Sequence, residues 1–404
     1  MIVKSSTFLY VIPFFVLLFQ QAVVRNTTGI VSEIFSFFDE IYVVFLFLRL
    51  IQKNGIRKLQ NNKNDFFIFS FWCVFLIVGL MSNIVNRYVS ISWGIFDAFI
   101  CSKFIIVYFA LKYSVGSKVV LIKIAKQIAK ICRICIVAFF ILTFVNIFVP
   151  VFPRAEYRFF MESIQLFFGH PTFYAATAIT CVGALIASES YEHKRNNEIF
   201  IYMGLFCVAS TLRMKAVAAS LGVLFLYLYF IKFGFRNVKV AFLMAGIVIF
   251  CLVYDQIQFY YGGNYLYDDN FVRERMLQDS IIIANQHLPL GSGFGSFASD
   301  IAKKAQTQLY SIYGYKLDSK YLTDSFWPII TAQCGWIGVL AFCGTMVNLI
   351  KNILKLLKID KKIFCSSCSL LLYLLICSLG ETAFFHPVCV PMFLIMGVNS
   401  RIIK

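Results

Sequence analysis

The segment ASTLRMKAVAASLG, residues 209–222, decides how this chain is folded. Apolar stretches flank Arg213 and Lys215. If one helix runs through both cations, the stretches form a single span. If the chain turns at Ser210-Thr-Leu-Arg213, they form two, and every later loop changes side. The basic clusters settle the choice. Lys and Arg gather in the short loops 53–63, 112–133, 194–195, 232–239 and 351–362, which are alternate loops only when the chain reverses at Arg213. Loops rich in Lys and Arg stay cytoplasmic. The split therefore puts these loops and both termini in the cytoplasm, and Arg213 and Lys215 at the outer surface. A merged helix would send the 351–362 cluster outward.

Composition agrees with a membrane protein. Of the 404 residues, 60% are hydrophobic and only 14% charged, against roughly a quarter charged in a soluble domain. Apolar runs long enough to cross a bilayer recur along nearly the whole length. The expected fold is an all-α polytopic integral membrane protein of about twelve transmembrane helices, at 8–24, 30–51, 66–85, 91–111, 131–149, 171–189, 198–212, 216–231, 238–254, 326–349, 363–380 and 387–399. No small-residue cleavage site follows the first run, which reads as a retained helix. The net charge of +17 lies in the inter-helix loops, so the expected partner is the lipid bilayer and not nucleic acid. The 13 cysteines lie mostly in or beside apolar runs. The CxxC spacings at Cys132/Cys135 and Cys365/Cys368 have no second pair beside them, and read as small packing residues. Neither metal nor cofactor is expected.

Two outer loops are longer than geometry requires. Residues 150–170 carry Arg154, Glu156, Arg158, Glu162 and His170, and residues 255–325 form a loop expected to be helical at 271–286 and 299–310. Long loops are commonly functional. The chain reads as a single membrane domain, 1–404, with 255–325 as a large extracytoplasmic loop within it.

The residues able to carry chemistry cluster in these outer segments. Cations at the outer face are disfavoured as topology signals, so Arg213 and Lys215 read as functional, beside the plainer reading of snorkelling to headgroups. The stretch NFVRERMLQDSIIIANQHLPLGSGFG, residues 270–295, puts Arg273 and Arg275 before a glycine-rich turn. Guanidinium groups suit an anionic, phosphorylated substrate. Two residues apart on a helix, the arginines point in different directions, so one is expected to face substrate and the other to pair with Glu274, Asp268 or Asp269. The turn PLGSGFG, residues 289–295, lacks the Lys-Ser/Thr of a nucleotide loop. It reads as a close-approach turn against the membrane domain, with Gly291, Gly293 and Gly295 kept as substrate-binding candidates. Arg158 precedes Gly169 by an x10 spacing. His170 is either a base or sugar ligand or a helix cap. Asp324 is either a cap or a general base toward a hydroxyl. His287 and His386 are weaker outer candidates. Asp39, Glu40, Asp97, Lys103 and Glu381 are further embedded or interfacial charges whose pairing with the arginines is plausible.

Taken in order, these residues resemble the O-antigen polymerase and O-antigen ligase superfamily of polytopic glycosyltransferases. The resemblance rests on about twelve helices with a long outer loop late in the chain, the S-x-x-R-like turn Ser210-Thr-Leu-Arg213, an Arg (Arg273 or Arg275) followed by the P-x-G-x-G-x-G turn, and Asp324 followed by the G-x-x-G step Gly335-Trp-Ile-Gly338. Arg158 with Gly169 looks like the Arg-x10-Gly pattern of some polymerases. The resemblance covers roughly residues 130–400. It implies a GT-C-like fold in the bacterial inner membrane, and transfer of a growing glycan from undecaprenyl diphosphate onto a lipid-linked repeat unit, building O-antigen or capsule polysaccharide. It implies Arg213, Arg273, Arg275, Asp324 and His170 as catalytic residues, with Arg158, Lys215 and the three glycines binding substrate. A chain-length regulator and a flippase are implied partners. Ligases typically carry a His in the long loop near the tenth helix, where this chain has Asp324, which favours the polymerase. The alternatives are a ligase passing glycan to lipid A core or protein and, in a different class, a transporter or flippase of the same lipid-linked units. A transporter would gather polar residues and broken helices at mid-membrane, whereas these charges gather at one surface.

Overall fold

The computed structural model describes residues 2–158, 161–192, 197–241, 243–247, 250, 254, 272–319 and 321–402. The chain is an all-α, multi-pass membrane protein. Its helices are α1 (Ile2–Asn26), α2 (Ile30–Ser36), α3 (Phe38–Gln52), α4 (Gly55–Gln60), α5 (Lys63–Asn86), α6 (Ile91–Ser114), α7 (Lys118–Phe148), α8 (Pro171–Tyr191), α9 (Glu198–Ala209), α10 (Met214–Tyr227), α11 (Val238–Ile247), α12 (Val272–Gln286), α13 (Asp300–Lys304), α14 (Gln308–Ile312), α15 (Phe326–Leu357), α16 (Lys361–Cys377) and α17 (Cys389–Ile402). Among the described residues, seven helices are long and apolar enough to cross a membrane: α1 from Thr7, α5, α6, α7, α8, α10 with its π-helical extension to Lys232, and α15. Helix also occupies the remaining expected spans, but in shorter pieces. The 30–51 span breaks at Phe37 into α2 and α3, and residues 242, 248–249 and 251–253 of the 238–254 span lie outside the described residues, as does the basic pair 194–195.

α8 is the inner helix, with 89% of its span buried, because PTFYAATAITCVGALIASESY is rich in small residues. Small side chains let helix backbones approach closely where lipid supplies no hydrophobic drive between helices. A Cβ on Gly183 would come within 2.6 Å of Leu370 on α16, and one on Gly204 of α9 within 2.5 Å of Val182. α7 and α16 also flank α8, while α5 packs along α15 and α6 along α17. One expected loop is helical instead: most of the basic 112–133 segment is the first half of α7. Leu121, Ile124, Ala125, Ile128 and Ala129 recur at helical spacing and are buried, while Lys126 and Lys130 face outward.

The embedded charges pair with one another rather than with the arginines. Lys103 Nζ lies 2.5 Å from Asp39 and 2.8 Å from Glu40, and Lys112 lies 2.7 Å from Asp65. A lone charge in this setting is costly, and a partner with hydrogen bonds offsets that cost.

The glycine turn explains the bend of α15. At Gly335 the backbone is non-helical (φ 59°, ψ −167°), which frees carbonyls on the preceding turn. Ser292 N–H donates to Ala332 O (2.8 Å) and Gly293 N–H to Gln333 O (2.9 Å). Gly291 N–H donates to Ser82 (3.1 Å), Phe294 N–H to Asn83 (2.8 Å) and Gly295 N–H to Asp97 (2.7 Å). The 289–295 turn is therefore a plug between α5, α6 and the bend of α15. A Cβ on Gly291 would meet the Gln333 backbone at 2.5 Å. Gly291→Ala is expected to destabilise the protein by about 1–3 kcal/mol, seen as a lower melting temperature in detergent. The same change at Gly116, with nothing within 4 Å, should leave that temperature unchanged.

Candidate functional site

At one end of the bundle, chain breaks between helices surround a cavity of about 840 Å³. Arg25, Arg158, His170, Arg213, Lys215, Arg273, Asp324 and Glu381 all line it. Six of the ten residues expected at the site thus converge from segments far apart in sequence: Arg158, His170, Arg213, Lys215, Arg273 and Asp324.

Each is positioned by a local feature. α9 ends at Ala209, and Arg213 caps α10 in extended conformation (φ −78°, ψ 121°), so the chain does break at the S-x-x-R-like turn. Lys215, in the first turn of α10, donates to Glu381 Oε1 at 2.6 Å, and Thr172 Oγ1 donates to the same oxygen at 3.1 Å. Burial alone would raise the Glu381 carboxyl, but Lys215 and these hydrogen bonds hold it below its usual range. The 150–170 loop contains an antiparallel hairpin, β1 (Arg154–Arg158) and β2 (Met161–Ile164), which the sequence reading does not anticipate. Ile164 N–H donates to Ser210 O (3.3 Å), docking the hairpin on the end of α9. Arg158 lies at the hairpin's far end beside Glu156, at 2.8 Å. Arg154 instead donates to the Asn146 and Ile147 carbonyls at the end of α7 (2.6 and 3.1 Å), a structural role.

The long loop lays α12 along α15. Arg273 reaches Asp324 at 3.0 Å, with its guanidinium 4.5 Å from the Tyr321 ring centroid. Arg275 turns away from the cavity to the Tyr313 carbonyl, Asp279 (3.7 Å) and the Tyr315 ring (4.7 Å). The two arginines do point in different directions, and Arg273 is the one that faces the cavity. Asp268 and Asp269 lie outside the described residues.

His170 both caps and lines. Its Nδ1 accepts from Thr172 N–H (3.3 Å) at the start of α8, and its Nε2 lies 3.3 Å from Arg213 Nη2. Burial, then the Arg213 charge, push the ring's pKa down to about 4, so it is neutral at pH 7. A neutral imidazole carries one N–H. Arginine only donates, so the Arg213 contact needs the proton on Nδ1, whereas the cap needs it on Nε2; the two contacts belong to the two tautomers of the neutral ring. A neutral ring on the cavity wall, held between the α8 cap and Arg213, is placed to contact substrate.

Four expected residues lie elsewhere. Arg275 braces the loop. Gly291, Gly293 and Gly295 are buried in the plug, and their N–H groups, spent on protein acceptors, are not a phosphate cradle. His287 is held by Tyr88 (2.9 Å) and the Ile283 carbonyl (2.8 Å), away from the cavity.

Arg25 is missed by the sequence reading. It sits in the last turn of α1, and its guanidinium lies 4.6 Å from the Phe173 ring centroid. A Cβ on Gly169 (φ +66°) would come within 3.1 Å of its side chain, so the glycine of the Arg-x10-Gly pattern makes room for Arg25. The signal was available: Arg25 lies just past the first apolar run, on the side that the topology expectation gives to Arg213.

Among the described residues the lining carries five cations (Arg25, Arg158, Arg213, Lys215, Arg273) and five carboxylates (Glu156, Glu274, Asp300, Asp324, Glu381). With formal charges balanced, an anion would be held by guanidinium hydrogen bonds at fixed points and not by a bulk positive field. No group of three or more metal-ligating side chains is found among the described residues. No protein-family model matches the chain, and no curated protein matches it.

Proposed function

We propose that this protein is a polysaccharide polymerase, a glycosyltransferase acting on lipid-linked diphosphates at the outer face of the bacterial inner membrane, with about twelve spans in a GT-C-like arrangement. The observation that carries this reading is the convergence of Arg25, Arg158, Arg213 and Arg273 on one cavity at a bundle end. Arginines at a membrane interface, placed to meet a headgroup, fit a diphosphate whose lipid tail stays in the bilayer.

In this mechanism the diphosphate of the donor takes hydrogen bonds from Arg213 and Arg273. Arg273 then exchanges Asp324 for phosphate oxygen, and Asp324 is released to act as base. The acceptor hydroxyl gives its proton to Asp324 while its oxygen attacks the anomeric carbon. The carbon–oxygen bond to phosphate breaks, and undecaprenyl diphosphate leaves with the electron pair. The arginines stabilise the charge that grows on the leaving oxygen, and holding both substrates in line supplies much of the remaining acceleration.

The position of His287 favours polymerase over ligase. It is the sole His of the 255–325 loop, and it is held away from the cavity. Deleting the protein should leave lipid-linked single repeats at the outer face. Polymer persisting on undecaprenyl diphosphate, with only final attachment lost, would make it a ligase. Repeats trapped on the cytoplasmic face would make it a flippase.

A further inference from the structure

A second, smaller cavity of about 270 Å³ shares Asp300, Thr323, Thr382 and His386 with the first. Glu40 and Lys103 line it beside Phe37, where α2 gives way to α3, and Asp39 lies buried behind them. The two carboxylates of that cluster differ. Both Asp39 oxygens are used, one by Gln20 (2.7 Å) and one by Lys103 (2.5 Å). Glu40 gives Oε1 to Lys103 at 2.8 Å and lies against Asp39, while its Oε2 is buried and takes no hydrogen bond from a donor among the described residues. A buried acceptor left without a donor is costly, and Glu40 lines the cavity from which a donor could come.

The chemistry of that donor is constrained. Three carboxylates (Glu40, Asp97 and Asp300) line the cavity against two cations, Lys304 and a Lys103 already committed to two acids, so phosphate is disfavoured here. A cation lacks the ligands, since no cluster of three metal-ligating groups occurs among the described residues. A neutral hydroxyl satisfies Oε2 directly. Phe37, Phe96 and Phe385 add aromatic surface to the same walls, and a ring bearing hydroxyls offers one face to such surface and its edges to acceptors. The volume lies below the usual range for drug-sized ligands, about 300–1,000 Å³, and suits a single ring with its substituents.

We infer that the smaller cavity is a saccharide subsite, in which Glu40 Oε2 accepts a hydrogen bond from a hydroxyl of the sugar attached to a diphosphate in the larger cavity. The inference rests on the proposed reading of that larger cavity.

The test uses the full-length protein in lipid nanodiscs with reporter thiols at Ser36→Cys, in the smaller cavity, and Val388→Cys, in the larger one. Modification by a small methanethiosulfonate reagent is read at each residue by mass spectrometry. The probes are undecaprenyl diphosphate and the sugar-bearing lipid-linked repeat extracted from cells lacking this protein. The sugar-bearing lipid should slow modification at both positions about tenfold or more, and undecaprenyl diphosphate only at Val388→Cys. Glu40→Gln retains an oxygen for Lys103 but can present a donor where an acceptor was needed. It should raise the concentration of sugar-bearing lipid that protects Ser36→Cys about tenfold, and leave protection of Val388→Cys by undecaprenyl diphosphate unchanged. Protection of Ser36→Cys by undecaprenyl diphosphate alone would assign the chamber to lipid or phosphate and overturn the inference. So would a Ser36→Cys that stays reactive while the sugar-bearing lipid protects Val388→Cys, which leaves the reading of the larger cavity standing. A Val388→Cys that neither lipid protects would overturn that reading together with the inference.

Discussion

Replacing Arg213 with Ala should leave an inserted, normally abundant protein that makes no detectable polymer. Arg213 caps α10 through its backbone, and the first helical turn does not depend on its side chain. The side chain supplies guanidinium donors beside His170 Nε2. A hydrogen bond between charged partners is worth about 1.5–3 kcal/mol, and losing one in the transition state costs roughly ten- to a hundredfold in rate. Truncating a guanidinium that gives two such bonds to a diphosphate loses both. Arg213→Lys should restore only part of the activity, because an ammonium lacks the bidentate fork. Polymer length and yield, measured with expression confirmed by immunoblot, read both variants. Near-normal polymer from Arg213→Ala would reduce the residue to a headgroup anchor.

The second large effect separates Arg273 from Arg275, two residues apart in sequence and different in role. Arg273→Ala should lower the polymerisation rate about ten- to a hundredfold, since it removes both a cavity guanidinium and the partner of Asp324. Arg275→Ala removes the tie to the Tyr313 carbonyl and the stacking on Tyr315. It should lower the melting temperature, yet leave the rate per folded molecule within about threefold of the parent. A rate loss in Arg275→Ala as deep as that of Arg273→Ala, at unchanged stability, would place the wrong arginine in the cavity.

The parts of this fold legible in the sequence are those set by hydropathy and by the cost of misplaced charge. The break at Arg213, the capping place of His170 at the start of α8, and the opposed directions of Arg273 and Arg275 all follow from local rules. Features that depend on distant partners did not. The 289–295 turn shows its glycines in sequence, but their purpose is set by carbonyls freed at Gly335, some forty residues later. The partners of Asp39 and Glu40 lie on α6, which hydropathy cannot align with α3. The break at Phe37 carries neither Gly nor Pro, so the second span read as one helix. The start of α7 reads as a loop because its lysines mark a cytoplasmic side more plainly than its buried positions mark a helical period. The 154–164 hairpin is hidden by its brevity, whereas Arg25, just past the 8–24 run, carries a signal like that of Arg213.

The central claim is that the cavity joins sugars carried on lipid diphosphates. Its most direct test is to incubate the purified protein in proteoliposomes with the undecaprenyl-diphosphate-linked repeat unit alone. The account predicts a ladder of longer lipid-linked glycans, with one undecaprenyl diphosphate released for each bond formed. Substrate consumed only when lipid A core or acceptor protein is added, or moved across the bilayer without any diphosphate release, would contradict it.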